Sequence, residues 1–206
     1  KEKNISVDID EYNNCMKIQK DSSKTNQNIF SYSIYNFLSE IEKTKYEGDN
    51  KYTGKCKLIQ ILVSKNNSLE KAVTLKKSEE GYLLFDSTVF YGESGGQIGD
   101  SGKIFFDNNI FEVTDAKKNE NYILHSGKVK TGSFEIGGQY QMEVDGEKRE
   151  SIRKNHTAAH LLQKALKIIL GIHVKQLGSY VDDKRLRFDF NHYNALTKNE
   201  VEQIEI

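Results

Sequence analysis

The chain has 206 residues, in which 30 Lys and Arg balance 30 Asp and Glu, and it contains no proline. This balance argues against a protein that binds nucleic acid through a uniformly basic surface, and against an acidic tail. No apolar run approaches the roughly 18 residues of a membrane-spanning helix. Cys15 and Cys56 make neither a disulfide framework nor a CxxC metal site, which favours a reducing, cytoplasmic compartment.

Residues 1–43 are predicted to be mainly helical. Between residues 10 and 24, and again between 29 and 41, apolar side chains recur every three or four positions, as on one face of a helix. The first of these faces carries Tyr12, Cys15, Met16 and Gln19. The pattern predicts two amphipathic helices, or one helix broken near residues 26–28.

Residues 44–146 change to a pattern typical of β-strands. Runs rich in β-branched and aromatic residues follow one another, separated by short turn sequences of Asn, Asp and Gly. The runs are 55–64, 82–91, 103–106, 110–113, 122–124 and 140–144. Several short strands at this spacing predict a small β-barrel or sandwich.

Residues 147–206 return to helical periodicity and then alternate strand and helix. The apolar stripe of the predicted long helix comprises Ile152, Ala159, Leu161, Leu162, Ala165, Leu166, Ile169 and Leu170. Gly171 is the expected end of that helix, and residues 185–190 alternate as a strand does. Thr197 and Glu200 form a capping box that opens a last helix. Because the sequence stops about two turns into this helix, we expect the chain to be a fragment.

Positive charge is concentrated within residues 146–187, where ten Lys and Arg stand against four Asp and Glu. Such a segment predicts a local surface that faces phosphates. The simpler alternative is a solvated helix face followed by strand ends. We expect Lys148, Arg149, Arg153 and Lys154 to belong to the phosphate-binding surface.

Two histidines, His156 and His160, share one face of the predicted long helix because they are four residues apart. This spacing suits two imidazole ligands of one zinc ion, whereas a complete zinc site takes three or four ligands. Zinc proteases with this motif need a Glu after the first His, and Thr157 in that position argues against a metalloprotease. The alternative is two polar residues on the exposed face of an amphipathic helix.

A glycine-rich segment at 92–102 directly follows a predicted strand and has five glycines in eleven residues. It matches neither GxGxxG nor GxxxxGK[ST], which argues against a nucleotide-phosphate loop. Its glycines predict either close approach of a ligand to the backbone or a tight hairpin. Residues 176–179 (QLGS) are interpreted as a polar loop that could complete a pocket beside the two histidines.

Three runs together resemble the editing region of the alanyl-tRNA synthetase family. They are FYGESGGQIGDSG at 90–102, RKNHTAAHLLQKAL at 153–166 and HVKQLGSYVDDKRLRFDFNHYNALT at 173–197, in the order found in that family. The resemblance covers nearly the whole chain. It implies an α+β fold with linker helices at 1–43 and a small β-barrel-like subdomain at 44–146. Residues 147–206 would form an α+β editing subdomain of the type shared with threonyl-tRNA synthetase.

The resemblance implies hydrolysis of the ester that wrongly joins serine or glycine to the alanine tRNA, tRNA(Ala). The implied partners are the acceptor end of this tRNA and the rest of the synthetase chain in cis, with no membrane, and the implied compartment is the cytoplasm. ATP and Mg²⁺ would serve only a synthetic domain that lies outside this chain. Two alternatives stay open, a free-standing trans-editing deacylase and a non-catalytic tRNA-binding fragment.

The resemblance also implies roles for particular residues. The implied catalytic residues are Gly95, Gly96, Gln97, Thr157 and Gln176, and the implied zinc ligands are His156 and His160. In that family two further ligands come from a later CxxxH motif, which this sequence does not contain, and Ala159 stands where Thr is common. We therefore expect weak or no zinc binding, an HxxxH face open to solvent, and slow or no deacylation of seryl-tRNA by the chain as given.

Overall fold

The structure is a computed structural model and describes residues 8–9, 11–12, 14–16, 41–65 and 68–205. The chain divides into two compact units, residues 1–42 with 64–70, and residues 43–63 with 71–206. In the first unit, residues 9, 11–12 and 14–16 are helical, in agreement with the first predicted helix, and Asp8 caps them by accepting from the Glu11 N–H at 2.9 Å. Gln19 and, apart from Ile41, the predicted second helix lie outside the described residues.

The second unit contains the paired residues of a closed β-barrel. Its strands are β2 (Thr53–Lys65), β5 (Glu80–Phe85), β7 (Gly102–Phe106), β8 (Asn109–Asn119), β9 (Tyr122–Thr131) and β11 (Gln139–Val144). They are hydrogen-bonded in the order β11-β7-β8-β9-β5-β2, with every neighbouring pair antiparallel. β11 also pairs with β2, so that Tyr140 lies opposite Cys56 and the barrel closes. The predicted barrel is thereby confirmed.

Alternation along the strands explains the barrel interior. In β11 the side chains of Tyr140, Met142 and Val144 are buried while their neighbours face outward, as period-two geometry requires. The largest fully buried aromatic side chains of the core are Phe85, Phe90, Phe111 and Phe134. These rings fill the barrel, which therefore has a packed core.

The predicted strand at 82–91 is shorter in the structure. β5 ends at Phe85 because Asp86 turns the chain, its Oδ1 accepting from the Ser87 N–H at 2.7 Å and the Lys57 N–H at 2.8 Å. The remaining short strands are β1 (Lys45–Tyr46), β3 (Ser68–Ala72), β4 (Thr74–Lys76), β6 (Ser87–Thr88) and β10 (Ser133–Glu135). β1 pairs in parallel with β6, and β4 pairs antiparallel with β10.

A histidine lies within the barrel core. His125 is fully buried, its Nδ1 donates to the Leu83 carbonyl at 3.1 Å, and its Nε2 accepts from the Thr88 hydroxyl at 2.7 Å. Burial lowers the pKa of His125 to about 4, because charging the ring would require desolvating an imidazolium. The ring is therefore a neutral member of the core.

After the barrel come a long helix, a β-hairpin and a short helix. These are α1 (Gly146–Leu170), β12 (Gln176–Val181), β13 (Leu186–Phe190) and α2 (Lys198–Glu205). Asp145 caps α1 by accepting from the Lys148 N–H at 3.0 Å, and Gly171 ends it with φ of 112°. The capping box is confirmed, since Thr197 Oγ1 accepts from the Glu200 N–H at 3.3 Å while Glu200 Oε2 accepts from the Thr197 N–H at 2.7 Å.

Two local predictions in this part of the chain are wrong. Leu161, placed in the apolar stripe of α1, is 67% exposed, because the helix packs only the side that carries Ile152, Ala159 and Leu166. Residues 176–179 form most of β12 rather than a loop, since their backbone pairs with β13. Among the described helices, none combines the length and apolar composition that crossing a bilayer requires.

Candidate functional site

The glycine loop, residues 91–102, makes a tight turn at its centre. Ser94 and Gln97 exchange backbone hydrogen bonds, from the Ser94 N–H at 3.2 Å and from the Gln97 N–H at 3.0 Å. Gly95 and Gly96 between them have φ of 62° and 86°. Two successive residues at positive φ are typical of a type I′ turn, which favours glycine. The tight-hairpin interpretation therefore applies to this part of the loop.

The glycine loop also packs closely against β12. The Val181 N–H donates to the Gly96 carbonyl at 2.8 Å, and the Ile98 N–H donates to the Val181 carbonyl at 3.1 Å. A Cβ on Gly96 would lie 2.4 Å from the Ser179 carbonyl oxygen, whereas a Cβ on Gly95 meets no described atom within 4 Å. The close approach at Gly96 is thus to the chain's own strand β12, a contact that neither of the two alternatives given for the glycines had included.

Helix α1 places His156 against the side chain of Gln97. Gln97 is buried, and its Oε1 lies 2.5 Å from His156 Nδ1. Because a carbonyl oxygen only accepts, Nδ1 carries the proton, and Nε2 of the neutral ring keeps its lone pair. Burial, followed by the nearby charge of His160, lowers the pKa of His156. Both effects favour the neutral imidazole that binds metals.

His160 lies one turn further along α1. The His156 and His160 rings are stacked, with centroids 4.9 Å apart and an angle of 27° between their planes. His160 is exposed, as expected, but His156 is half-buried because the glycine loop covers it, so the HxxxH face is not fully open to solvent. The contact was not predicted, since Gln97 precedes His156 by 59 positions.

The histidine pair fits part of a zinc site. A metal-bound histidine usually donates its other ring N–H to a carbonyl or carboxylate, and His156 donates to Gln97 in this way. Zinc takes three or four protein ligands, however, and no cluster of three or more His, Cys, Asp and Glu side chains occurs within the described part of the chain. Within the described residues, the zinc-ligand roles of His156 and His160 therefore stay predictions.

Two predicted catalytic residues lie apart from the Gln97–His156 pair. Gln176 is exposed at the start of β12, where it pairs with Phe190. It lies about 10 Å along the strand from Ser179, the β12 residue that contacts the glycine loop. Thr157 is exposed, and its hydroxyl donates to the Arg153 carbonyl at 3.0 Å. The structure does not bring either side chain to Gln97, so their catalytic roles stay predictions.

A buried ion pair joins the glycine loop to the first turn of α1. Arg149 is 6% exposed and Asp100 1%, and Arg149 Nε donates to Asp100 Oδ2 at 3.0 Å. Arg149 also donates to three backbone carbonyls, those of Gly48, Lys51 and Val89. The expectation that Arg149 faces RNA phosphates is therefore wrong, because its guanidinium is occupied inside the protein.

Asp100 is the member of this ion pair that the sequence itself marks, whereas its partner is fixed by packing. Asp100 is the acidic residue between the last glycines of the loop, and Arg149 follows the helix cap by four positions. A short acidic side chain in a turn next to a predicted core is a candidate partner for a cation. Net charge alone does not show which lysines and arginines are buried.

A small apolar cluster packs between α1, the glycine loop and the β12–β13 hairpin. It consists of Ile152, Ala159 and Val181, with Ile98 and Leu186 packed against it. Asn155 Nδ2 donates to the Asp182 carbonyl at 2.8 Å and so ties α1 to the end of β12. Helix, glycine loop and hairpin thus form one packed arrangement around the Gln97–His156 contact.

Comparison with known proteins shows the family. The family model for class II (A) tRNA synthetases matches residues 1–148. The chain belongs to the class II (A) tRNA synthetase family. The match to this synthetase model ends in the first turn of α1, so it includes the glycine loop but not the two histidines.

Relatives of this class II synthetase chain extend over the whole sequence. The alanine–tRNA ligase of Saccharophagus degradans is 39% identical over 207 residues, which cover 100% of this chain and 23% of the relative. The alanine–tRNA ligases of Thermoanaerobacter sp. (strain X514) and Fusobacterium nucleatum subsp. nucleatum are 39% and 38% identical, each over 99% of this chain and 23% of the relative. The chain thus spans about a quarter of the length of these curated relatives.

Proposed function

We propose that this synthetase segment hydrolyses the ester of mischarged seryl- or glycyl-tRNA(Ala). The observation that carries the proposal is the contact between Gln97 Oε1 and His156 Nδ1, which fixes a neutral imidazole beside His160. The similarity to alanine–tRNA ligases supports tRNA(Ala) as the substrate and the rest of a synthetase as the partner in cis.

A separate hydrolytic site is needed because a binding pocket alone discriminates poorly between alanine and serine or glycine. A pocket shaped for alanine rejects an added hydroxyl or a lost methyl by only about 1–3 kcal/mol. A polar site can favour serine, because its donors and acceptors pair with the serine hydroxyl and are left unpaired by alanine. The buried Gln97 side chain, held against His156, is a polar group of this kind.

In the reaction, water adds to the ester carbonyl carbon and the bond from that carbon to the ribose oxygen breaks. The ribose oxygen takes a proton, so that the products are the free amino acid and uncharged tRNA. Gln97 cannot act as the base, because an amide does not titrate near neutrality. Since its carbonyl accepts from His156, its amide nitrogen is the group left to donate to a substrate oxygen.

His156 and His160 would hold a zinc ion, with further ligands from outside the described residues. Zinc at this position would supply Lewis-acid activation of water or a contact to the substrate amino acid. The residues of this chain contribute orientation: Gln97 holds the proton of His156 on Nδ1 and turns Nε2 away from the loop. The burial of Gln97 keeps this hydrogen bond away from competing water.

Deacylation of seryl-tRNA(Ala) by the complete gene product tests the proposal. We expect His156→Ala and Gln97→Ala to lower the rate, the latter by about 10–100-fold, as is typical for the loss of a residue that orients a metal ligand. Ile168→Ala is the matched control, because Ile168 is a 66% exposed residue of the same helix. Equal rates for wild type, His156→Ala and Gln97→Ala would overturn the proposal. So would tRNA binding without any deacylation.

A further inference from the structure

A cavity of about 280 Å³ is lined by the glycine loop and by the end of the β8–β9 hairpin. Its aromatic lining comes from Tyr46 of β1 and Tyr91 of the glycine loop, and its cationic lining from Lys43 and Lys118. The volume is close to the lower end of the range for small-molecule pockets, roughly 300–1,000 Å³. None of these four residues has a role in the hydrolysis proposed above.

The two tyrosines present ring surface to the cavity. Their ring centroids are 6.3 Å apart with an angle of 80° between the planes, so one ring meets the other edge to face. Tyr46 is 36% exposed, and the Tyr91 hydroxyl donates to the Ser94 carbonyl at 3.3 Å. An edge-to-face pair leaves ring faces available, and nucleobases stack on such faces whatever their sequence.

The two lysines are available for an anion. Both Lys43 and Lys118 are exposed, and neither takes part in an ion pair within the described residues. By contrast, the neighbouring Lys117 is paired with Asp115 at 3.9 Å. Glu120 is the acidic residue of the cavity lining, which leaves one excess positive charge there. Exposed ammonium groups beside aromatic rings are the combination that binds single-stranded nucleic acid.

The walls of the cavity are held in place by backbone contacts. The Lys45 N–H donates to the Asp86 carbonyl at 2.8 Å, which fixes β1. A Cβ on Gly92 would lie 2.9 Å from Lys118 Cβ, so the glycine loop lies directly on β8 at this point. The cavity is therefore built into the fold.

The cavity adjoins the catalytic contact through one turn of the chain. Ser94 lines the cavity, and Ser94 pairs across the type I′ turn with Gln97, which contacts His156. Residues paired across such a turn have Cα atoms about 5 Å apart. A ligand in the cavity therefore lies next to the glycine loop that positions the hydrolytic residues.

We propose that this cavity binds one nucleotide of the single-stranded acceptor end of tRNA. The base stacks on the ring of Tyr46, with the Tyr91 ring against its edge, and the adjoining phosphate is bound by Lys43 and Lys118. This assignment rests on the proposed function, since the nucleotide in the cavity precedes the one that carries the ester. It adds a binding determinant that is separate from the residues of hydrolysis.

Binding of an uncharged oligonucleotide tests the cavity without any chemistry. The probe is the 5′-fluorescein RNA ACCA, titrated with the complete gene product and followed by fluorescence anisotropy. We expect Tyr46→Ala to weaken binding about tenfold or more, as loss of one stacked base does, and Tyr46→Phe to retain it. Lys118→Ala should lower the slope of log K against log salt by about 0.7, the value for one phosphate contact on a single strand.

Lys117→Ala is the matched control, because Lys117 is the adjacent lysine of β8 and lies outside the cavity lining. It should leave affinity and salt slope unchanged. Equal affinity of wild type, Tyr46→Ala and Lys118→Ala would overturn the proposal, and so would equal binding of the same RNA as a duplex. ACCA binding that depends on Tyr46, in a protein without deacylation, would support the cavity while refuting the hydrolysis.

Discussion

Replacing Arg149 with Met is expected to destabilise the fold strongly and to leave phosphate binding unchanged. Arg149 and Asp100 are both buried, and Asp100 Oδ2 also accepts from the Tyr91 N–H at 2.6 Å. Arg149 Nη1 donates to the Lys51 carbonyl at 2.9 Å, and the guanidinium lies over the Tyr52 ring at 5.3 Å. One side chain thus connects the helix, the glycine loop and the segment before β2.

The expected loss of stability in Arg149→Met follows from the buried Asp100 that the substitution leaves unpaired. Met has a similar length and keeps much of the packing, but Asp100 then stays buried without its cation. Removing one partner of a buried ion pair typically costs about 3–5 kcal/mol. Arg153→Met is the matched control, since Arg153 pairs with Glu150 at 3.3 Å on the surface, where such pairs contribute about 1 kcal/mol or less.

Urea unfolding followed by circular dichroism measures the difference. At a typical slope near 2 kcal/mol/M, Arg149→Met should lower the midpoint by about 2 M and Arg153→Met by no more than about 0.5 M. Replacing Asp100 with Leu in the Arg149→Met background should recover part of the loss, because it removes the buried charge. The reasoning would be refuted if Arg149→Met were as stable as Arg153→Met and lowered the salt dependence of tRNA binding.

Three further predictions concern the turn, the barrel core and the metal. Gly96→Ala should lower the free energy of unfolding by about 2–4 kcal/mol and slow deacylation, because the new Cβ meets the β12 backbone. Gly95→Ala should lower it by only about 1–2 kcal/mol, the strain of a positive φ in open space. Equal stability of the two variants in urea unfolding would contradict this. The pKa of His125 is about 4 in the folded protein, against an ordinary value near 6.5. The free energy of unfolding should therefore fall by about 3 kcal/mol as the pH drops from 7 to 4, because the unfolded chain takes up the proton first. The His125→Leu variant should lack this pH dependence of stability. Because His156 and His160 are two of the three or four ligands required, the 206-residue chain should lose zinc on dialysis against a mild chelator. One zinc per chain retained by metal analysis would show that the ligand assignment is wrong.

The sequence by itself determined the elements whose signals are local. The start of α1 at its Asp145 cap, its end at Gly171 and the capping box at Thr197 all depend on residues within about four positions of one another. The stacking of His156 on His160 follows from the same helical spacing. Alternating apolar residues likewise predicted most of the barrel strands, since the pleat of a strand repeats every two residues.

The tertiary structure decided what these elements meet. The residues around Arg149 in the sequence do not show whether its side chain faces solvent or Asp100. Only the packing of the glycine loop over α1 buries it. Gln97 reaches His156 because the turn at Gly95 and Gly96 is hydrogen-bonded to β12, which lies about 80 residues later in the chain. Contacts between such distant segments depend on how layers pack, and no pattern of neighbouring residues contains that information.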